Sequence, residues 1–224
     1  DHLWPKDGDP QWLVHAASME ISMEDAPYAY RIELMSKQLD ALFGFRPSTL
    51  EEFTLASQIN QAEAFKYFIE RFRLGKFEKT TGIIWWNLID GWPQISDAVV
   101  DYYYEKKLAY HVIKNSQSTV AMMFREPSAG QLVLAASNDS LSPTSVSYRV
   151  LDLTHDQVVL TGSAPVGANV TQDIGVIPYV SDETTFYLIE WTLKGVTYQN
   201  HYLAGEAPVS YERCVEGYRK MGLI

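Results

Sequence analysis

Cysteine is almost absent from this 224-residue sequence, and its scarcity limits the chemistry of the chain. Cys214 is the one cysteine, so an internal disulfide framework and a cysteine-rich zinc site are excluded. The histidines contain no HExxH motif and no closely spaced pair: His2, His15, His111, His155 and His201. Glycine-rich phosphate loops and the GxSxG elbow are also missing. We therefore predict neither a metal nor a cofactor, and we interpret Cys214 as a small packing residue.

Long apolar runs and an excess of basic residues are lacking as well. No stretch of about 18 apolar residues occurs, which excludes a membrane-spanning helix. Lys and Arg number 18 against 28 Asp and Glu, giving a formal charge of −10, whereas a nucleic-acid binder normally presents a basic face. Hydrophobic residues make up 46% of the chain, which is typical of a folded globular protein. We predict no nucleic-acid partner and no membrane partner.

Up to about residue 116 the apolar residues mostly follow a helical period. The spacing predicts a helix over Tyr28–Phe43. A second helix begins with Ser48 as N-cap and Glu51 in a capping box, and it ends near Gly75. A third helix is predicted over Glu105–Lys114. The acidic residues of the second helix, including Glu63 and Glu70 on its polar side, are interpreted as structural or solvated.

The exception within this half is an apolar, aromatic run over Thr81–Leu88. A continuous apolar run between helices predicts a strand of a parallel sheet that is covered on both faces. Strand alternation places Ile84, Trp86 and Leu88 on one face, and Ile83, Trp85 and Asn87 on the other. Because a lone strand leaves its backbone groups unpaired, we expect this segment to pair with other strands.

From about residue 117 the period changes to two, and turn residues separate seven short apolar runs. This pattern predicts an antiparallel β-sandwich of immunoglobulin-like type, without its cysteines. A short helix is predicted over Ser210–Met221. The predicted strands are Thr119–Arg125, Gln131–Ser137, Ser145–Leu153, Gln157–Thr161, Val170–Ile177, Thr185–Trp191 and Val196–Leu203.

The candidate site is the segment in which the first predicted strand ends. Trp85, Trp86 and Trp92 accompany Asn87 and Asp90 within eight positions. The carboxyl ends of parallel strands commonly carry binding sites, and a tryptophan face suits the apolar face of a pyranose. Asn and Asp side chains bind hydroxyl groups. The alternative interpretation is that all three tryptophans fill the core.

Two stretches resemble the end of the catalytic barrel in glycoside hydrolase family 2. The first runs from Ala56-Ser57-Gln58-Ile59-Asn60-Gln61-Ala62-Glu63 through Gly82-Ile83-Ile84-Trp85-Trp86-Asn87-Leu88-Ile89-Asp90-Gly91-Trp92-Pro93. The second is Asp101-Tyr102-Tyr103 followed by Lys106-Lys107-Leu108-Ala109-Tyr110. The resemblance is strongest to the β-mannosidase and exo-β-glucosaminidase branch, and it covers most of the first 116 residues.

The resemblance implies an α+β fragment that combines the last helices and eighth strand of a (β/α)8 TIM barrel with an immunoglobulin-like sandwich. It implies barrel over residues 1–116, sandwich over 117–207 and a helical tail over 208–224. Family members are retaining exo-glycosidases that use two glutamates, one in an Asn-Glu pair and one in a Ser-Glu motif. Neither dipeptide occurs in this sequence, so both catalytic residues are expected upstream of Asp1.

Several expectations follow from the resemblance. The chain contributes no catalytic residue, and its partners are the remainder of the barrel and a terminal β-linked sugar. Trp86 matches the tryptophan that floors the sugar subsite, and Asp90 matches the acidic residue that closes the eighth strand. Asn87, Trp85 and Trp92 are weaker candidates, and Trp85 alternatively packs outward on the helices. An incomplete barrel also predicts self-association, while the rival function is a carbohydrate-binding or purely structural sandwich module.

Overall fold

The computed structural model describes residues 30–180 and 182–224. The first 29 residues and Ser181 therefore lie outside the described residues. This applies to the predicted helix start at Tyr28, to His2 and His15, and to the beginning of the predicted barrel portion.

Four helices surround one end of a β-sandwich in the described part of the chain. Their bounds are α1 (Tyr30–Phe43), α2 (Leu50–Leu74), α3 (Leu108–Ser116) and α4 (Tyr211–Lys220). All four were predicted, and the largest error is in α3, which begins three residues later than expected. The delay has a local cause, because Asp101 accepts hydrogen bonds from the backbone N–H groups of Tyr103 and Glu105 and so holds a turn there.

The capping box of α2 lies one residue later than predicted. Thr49, rather than Ser48, is the N-cap, and its hydroxyl accepts a hydrogen bond from the Glu52 N–H at 3.2 Å. Glu52 in turn accepts from the Ser48 N–H at 2.9 Å, where Glu51 was expected. The pairs Ser48 with Glu51 and Thr49 with Glu52 both fit the capping-box spacing, and the structure uses Thr49 with Glu52.

The prediction of an antiparallel β-sandwich is confirmed. A three-stranded sheet has the order β1-β2-β5, and a four-stranded sheet has the order β4-β3-β6-β7. Every pair of neighbouring strands is antiparallel. The strands are β1 (Val120–Phe124), β2 (Gln131–Asn138), β3 (Thr144–Asp152), β4 (Gln157–Val166), β5 (Val170–Pro178), β6 (Thr185–Leu193) and β7 (Val196–Ala204).

Two hydrophobic cores meet at strand β6. Tyr187, Ile189 and Trp191 point between the two sheets, whereas Phe186 and Leu188 pack with the helices. The helical core also takes in α4, and Cys214 is fully buried there, as expected of a packing residue. The terminal helix thus closes the helical core and fixes it to the sandwich.

The prediction of a strand over Thr81–Leu88 is wrong. The described segment has no regular ladder, and its pairing is limited to an isolated parallel bridge between Ile89 and Val100. The sandwich strands pair with one another and leave this segment without a neighbouring strand. Its hydrogen bonds run instead to the loop before α3, from Val99 N–H to Asn87 O at 3.2 Å and from Val100 N–H to Leu88 O at 2.9 Å. The expected piece of a TIM barrel is therefore not confirmed as a sheet.

Within the described residues, no helix has the length and apolar character required to cross a lipid bilayer.

Candidate functional site

The segment from Ile83 to Leu88 alternates in exposure although it forms no ladder. Ile84 and Leu88 are 100% and 56% exposed, and Trp86 between them is 74% exposed. Ile83, Trp85 and Asn87 are half-buried. The predicted division of faces is therefore correct, because an extended backbone turns successive side chains to opposite sides whether or not it is paired.

Trp85 belongs to the helical core. Its ring meets the ring of Phe65 on α2 edge to face, with the centroids 5.6 Å apart. It lies partly buried against the cluster that the helices form. Trp85 therefore packs outward on the helices, which was the alternative to a sugar contact. It does not lie on the exposed face that carries Trp86.

Trp86 lines a cleft of about 610 Å³ between α1, α2 and the loop that follows residue 93. The wall opposite the loop is a face of α2 that combines amide, hydroxyl and aromatic side chains. It includes Ser57, Gln58, Asn60, Gln61, Phe65 and Phe68. The cleft thus offers an exposed indole beside several hydrogen-bonding groups, which is the combination that recognises a sugar ring and its hydroxyls.

Asp90 is buried and takes part in the architecture of the loop. Its Oδ1 accepts hydrogen bonds from the Ser96 hydroxyl at 2.5 Å and from Gln94 Nε2 at 2.9 Å. The Lys107 ammonium lies 3.7 Å from Oδ2. Burial lowers the pKa of Lys107, and the Asp90 charge opposes that shift. These contacts hold the loop together, and Asp90 is not among the residues that line the cleft.

Asn87 and Trp92 occupy intermediate positions. Asn87 is half-buried, and its side-chain oxygen has no hydrogen-bond partner among the described residues. The peptide bond between Trp86 and Asn87 is cis. Trp92 is half-buried in the loop after Asp90. Of the five candidates from the sequence, only Trp86 combines high exposure with a place in the cleft.

The amide groups of α2 were not predicted as functional residues. Gln61 Nε2 donates to the Asp97 carbonyl at 2.7 Å, and Gln58 Oε1 accepts from the Leu108 N–H at 2.9 Å. Both amides therefore fix α2 to the loop and to the start of α3. The signal in the sequence was a cluster of three amides within about one turn of the helix, at Gln58, Asn60 and Gln61, which indicates groups with partners elsewhere in the chain.

A second face of α2 carries a buried polar junction with the sandwich. Lys66 and Glu70 form an ion pair at 2.8 Å, with both side chains about 95% buried. Glu70 Oε1 also accepts from Asn200 Nδ2 on β7 at 2.7 Å and from the Ser116 hydroxyl at 3.2 Å. Glu70 was expected to be structural or solvated, and these buried contacts give it the structural role. The polar side of α2 is therefore an interface.

The comparisons with known proteins agree with this architecture. No protein-family model matches the chain. The β-mannosidase B of Thermothelomyces thermophilus is 32% identical over 82 residues, which are 35% of this chain and 10% of that protein. The exo-β-D-glucosaminidase of Arthroderma benhamiae is 25% identical over 122 residues, which are 54% of this chain and 14% of that protein. Two enzymes of the expected branch therefore match in sequence.

Solved structures extend the likeness to the fold. The β-D-mannosidase of Dictyoglomus thermophilum matches with a TM-score of 0.70 and 21% identity, over 88% of this chain and 24% of that chain. The exo-chitosanase of Amycolatopsis orientalis matches with a TM-score of 0.66 and 16% identity, over 89% of this chain and 24% of that chain. The resemblance to glycoside hydrolase family 2 is confirmed. The similarity is to the C-terminal part of its β-mannosidase and exo-β-glucosaminidase branch.

The family 2 likeness extends over only part of the relatives. The chain spans between a tenth and a quarter of the length of the relatives that it matches. In the described part of the chain, no group of three or more His, Cys, Asp or Glu side chains is arranged to hold a metal ion. The candidate site in the described part of the chain is the Trp86 cleft with its supporting loop.

Proposed function

We propose that the chain is the C-terminal part of a retaining, exo-acting β-glycosidase, β-mannosidase-like in substrate, to which it contributes an aromatic wall. One observation carries the proposal: Trp86 lines the cleft and is nevertheless 74% exposed. Exposed apolar side chains that share one face, as those of Ile84, Trp86 and Leu88 do, mark a surface that contacts another molecule. The family 2 resemblance supplies that contact, which is the apolar face of a terminal β-linked sugar.

The remainder of the barrel is the macromolecular partner in this proposal. Ile84 and Leu88 project from the same face as Trp86, and most backbone groups from Ile83 to Trp86 have no strand beside them. Neighbouring strands would pair these groups and bury the two aliphatic side chains. Residues 1–116 then complete the barrel, residues 117–207 form the sandwich, and residues 208–224 form the tail that joins them.

The reaction in this proposal uses two glutamates outside the 224 residues. One carboxylate attacks the anomeric carbon, while the second protonates the leaving oxygen and then activates water for the second step. Two carboxylates near the cleft are committed to the fold: Asp90 binds Gln94 and Ser96 of the loop, and Asp101 accepts from two backbone N–H groups. The chain alone is therefore proposed to be inactive, with Trp86 supplying binding and orientation in the intact enzyme.

The rival proposal of a carbohydrate-binding module requires exposed aromatic residues on the sandwich. Trp191 and Tyr187 are buried between the sheets. Tyr198 stacks on Trp191 with the ring centroids 5.7 Å apart, and Tyr148 donates its hydroxyl to the Ile174 carbonyl at 2.7 Å. These four aromatics fill or border the sandwich core, which favours the Trp86 cleft as the sugar-facing surface.

The test is hydrolysis of 4-nitrophenyl β-D-mannopyranoside by the purified 224-residue chain. We expect no release of nitrophenol above the uncatalysed rate. Saturable hydrolysis that is lost when a glutamate of this chain is changed to glutamine would show that the catalytic pair is misplaced. A reading frame that continues upstream of Asp1 with Asn-Glu and Ser-Glu motifs would support the proposal, and a frame without them would contradict it.

A further inference from the structure

Helix α2 presents two functional faces, and they lie on opposite sides of the helix. Gln61 and Phe65 face the Trp86 cleft. Glu63, Lys66 and Glu70 face β7 and α4, at spacings of three and four residues. A movement of the helix at the junction is therefore also a movement of the cleft wall.

Glu63 lies at the point where α2, β7 and α4 meet. Its Oε1 accepts hydrogen bonds from His201 Nε2 and from the Tyr218 hydroxyl, both at 2.6 Å. His201 is 1% exposed and stacks on Phe186 with the ring planes 9° apart. We call Glu63, His201 and Tyr218 the junction cluster. It joins residues that are up to 155 positions apart in sequence.

The cluster is closely surrounded by other titratable groups. Lys66 and Glu70 face it from α2, and Cys214 faces it from α4. Burial alone would raise the pKa of the Glu63 carboxyl. The charge and hydrogen bond of His201, the charge of Lys66 and the Tyr218 hydroxyl outweigh that effect and lower this pKa to about 2.

We propose that the junction cluster positions the cleft wall, with Glu63 as an acid-sensitive positioning residue that locks α2 to the sandwich and the terminal helix. The significance for sugar binding rests on the proposed function, whereas the coupling itself does not. When Glu63 is ionised, three elements share one carboxylate. When it is protonated, these hydrogen bonds lose the charge of the carboxylate, and the tie of α2 to β7 and α4 weakens.

Hydrogen exchange read by mass spectrometry tests this coupling on the 224-residue chain without any sugar. The variants are Glu63→Gln, which keeps the shape and removes the charge, and Tyr218→Phe, which removes one hydrogen bond. Glu51→Gln is the matched control, since Glu51 lies exposed in the first turn of the same helix. Peptides covering residues 50–74 and 83–97 report the cleft wall, and peptides covering residues 120–178 report the sandwich.

At pH 6.5 we expect Glu63→Gln to exchange about tenfold faster than wild type in residues 50–74 and 83–97, the factor for one weakened charged hydrogen bond. The Tyr218→Phe variant should show a smaller increase in the same peptides. In Glu63→Gln, the exchange rate of residues 120–178 should stay within about twofold of wild type. In Glu51→Gln, the exchange rates of all these peptides should stay within the same limit. The exchange rate of Glu63→Gln divided by that of wild type should fall toward one near pH 2, because the wild-type carboxyl is itself half protonated there.

Three results would overturn the proposal. They are unchanged exchange in residues 83–97, equal acceleration in the sandwich peptides, and a ratio that does not depend on pH. Because no sugar is present, these results leave the assignment of Trp86 to a sugar untouched. Conversely, a chain that fails to bind sugar but shows the expected exchange pattern would contradict the proposed function alone.

Discussion

Strand β6 and the segment from Ile83 to Leu88 are both apolar on two faces, yet only β6 is covered on both. One face of β6 packs into the sandwich and the other packs onto the helices. The segment around Trp86 has the helical core on one side and solvent on the other. A segment that is apolar on both faces is expected to be packed on both. Where one of these faces stays exposed, as it does around Trp86, it is a candidate surface for contact with another molecule or domain.

The largest difference between the two elements is expected when the tryptophan of each, Trp191 or Trp86, is replaced by alanine. Trp191→Ala should lower the free energy of unfolding by about 3–5 kcal/mol, because it empties a site that is 1% exposed. Trp86→Ala should change it by less than about 0.5 kcal/mol, because its ring is already in solvent. Urea denaturation followed by circular dichroism measures both. Equal losses would mean that Trp86 is a core residue.

The junction between the two regions should be the next most sensitive part. Lys66→Met leaves Glu70 as a buried charge without its cation, and we expect a loss of about 3 kcal/mol in the free energy of unfolding. The exposed pair of Arg125 and Asp173 serves as the control, and Asp173→Asn should cost less than about 1 kcal/mol. The same denaturation experiment applies, and comparable costs for the two pairs would contradict a buried, tightly coupled junction.

Acid should weaken the junction through Glu63. Its carboxyl has a pKa of about 2 in the folded chain against 4.5 as the ordinary value, so it stabilises the fold fully above about pH 4.5. That contribution is lost as the pH falls from 4.5 toward 2. Glu63→Gln should lack this part of the pH dependence while Glu51→Gln keeps it. Identical acid profiles for wild type and Glu63→Gln would contradict the assignment.

The exposed apolar face of residues 83–88 predicts weak self-association, which is the smallest of these effects. Ile84 and Leu88 are exposed beside Trp86, and contiguous apolar surface of this kind rarely persists on monomers. Light scattering at high protein concentration should show a mass above 25.5 kDa that the double substitution Ile84→Ser and Leu88→Ser reduces. Val158→Ser and Val196→Ser on the sandwich provide the control. A clean monomer at every concentration would remove this expectation.

Local patterns in the sequence predicted the helices and the seven sandwich strands, because periodicity and turn residues act over a few positions. They also predicted which side chains of residues 83–88 share a face. Pairing was not predictable in the same way, since it depends on neighbours that the period does not reveal. The strand predicted over Thr81–Leu88 failed for this reason.

The candidate site was predicted in part. Trp86, which the resemblance assigns to the sugar subsite, lies exposed in the cleft. The burial of Asp90 depends on Ser96 and Lys107, which the fold brings to it. The junction cluster was beyond reach from sequence, because Glu63 and His201 are 138 residues apart. The sequence left Glu63 as structural or solvated, and its contacts with His201 and Tyr218 decide for the structural role.

Saturation-transfer nuclear magnetic resonance with methyl β-D-mannopyranoside tests the sugar-facing indole most directly. Wild type and Phe77→Ala, which removes an exposed aromatic ring elsewhere in the helical half, should transfer magnetisation to the ring protons of the sugar. Trp86→Ala should abolish that transfer while its unfolding curve stays unchanged. If magnetisation transfer persists in Trp86→Ala and disappears in Tyr198→Ala, the account is contradicted and the sugar binds to the sandwich.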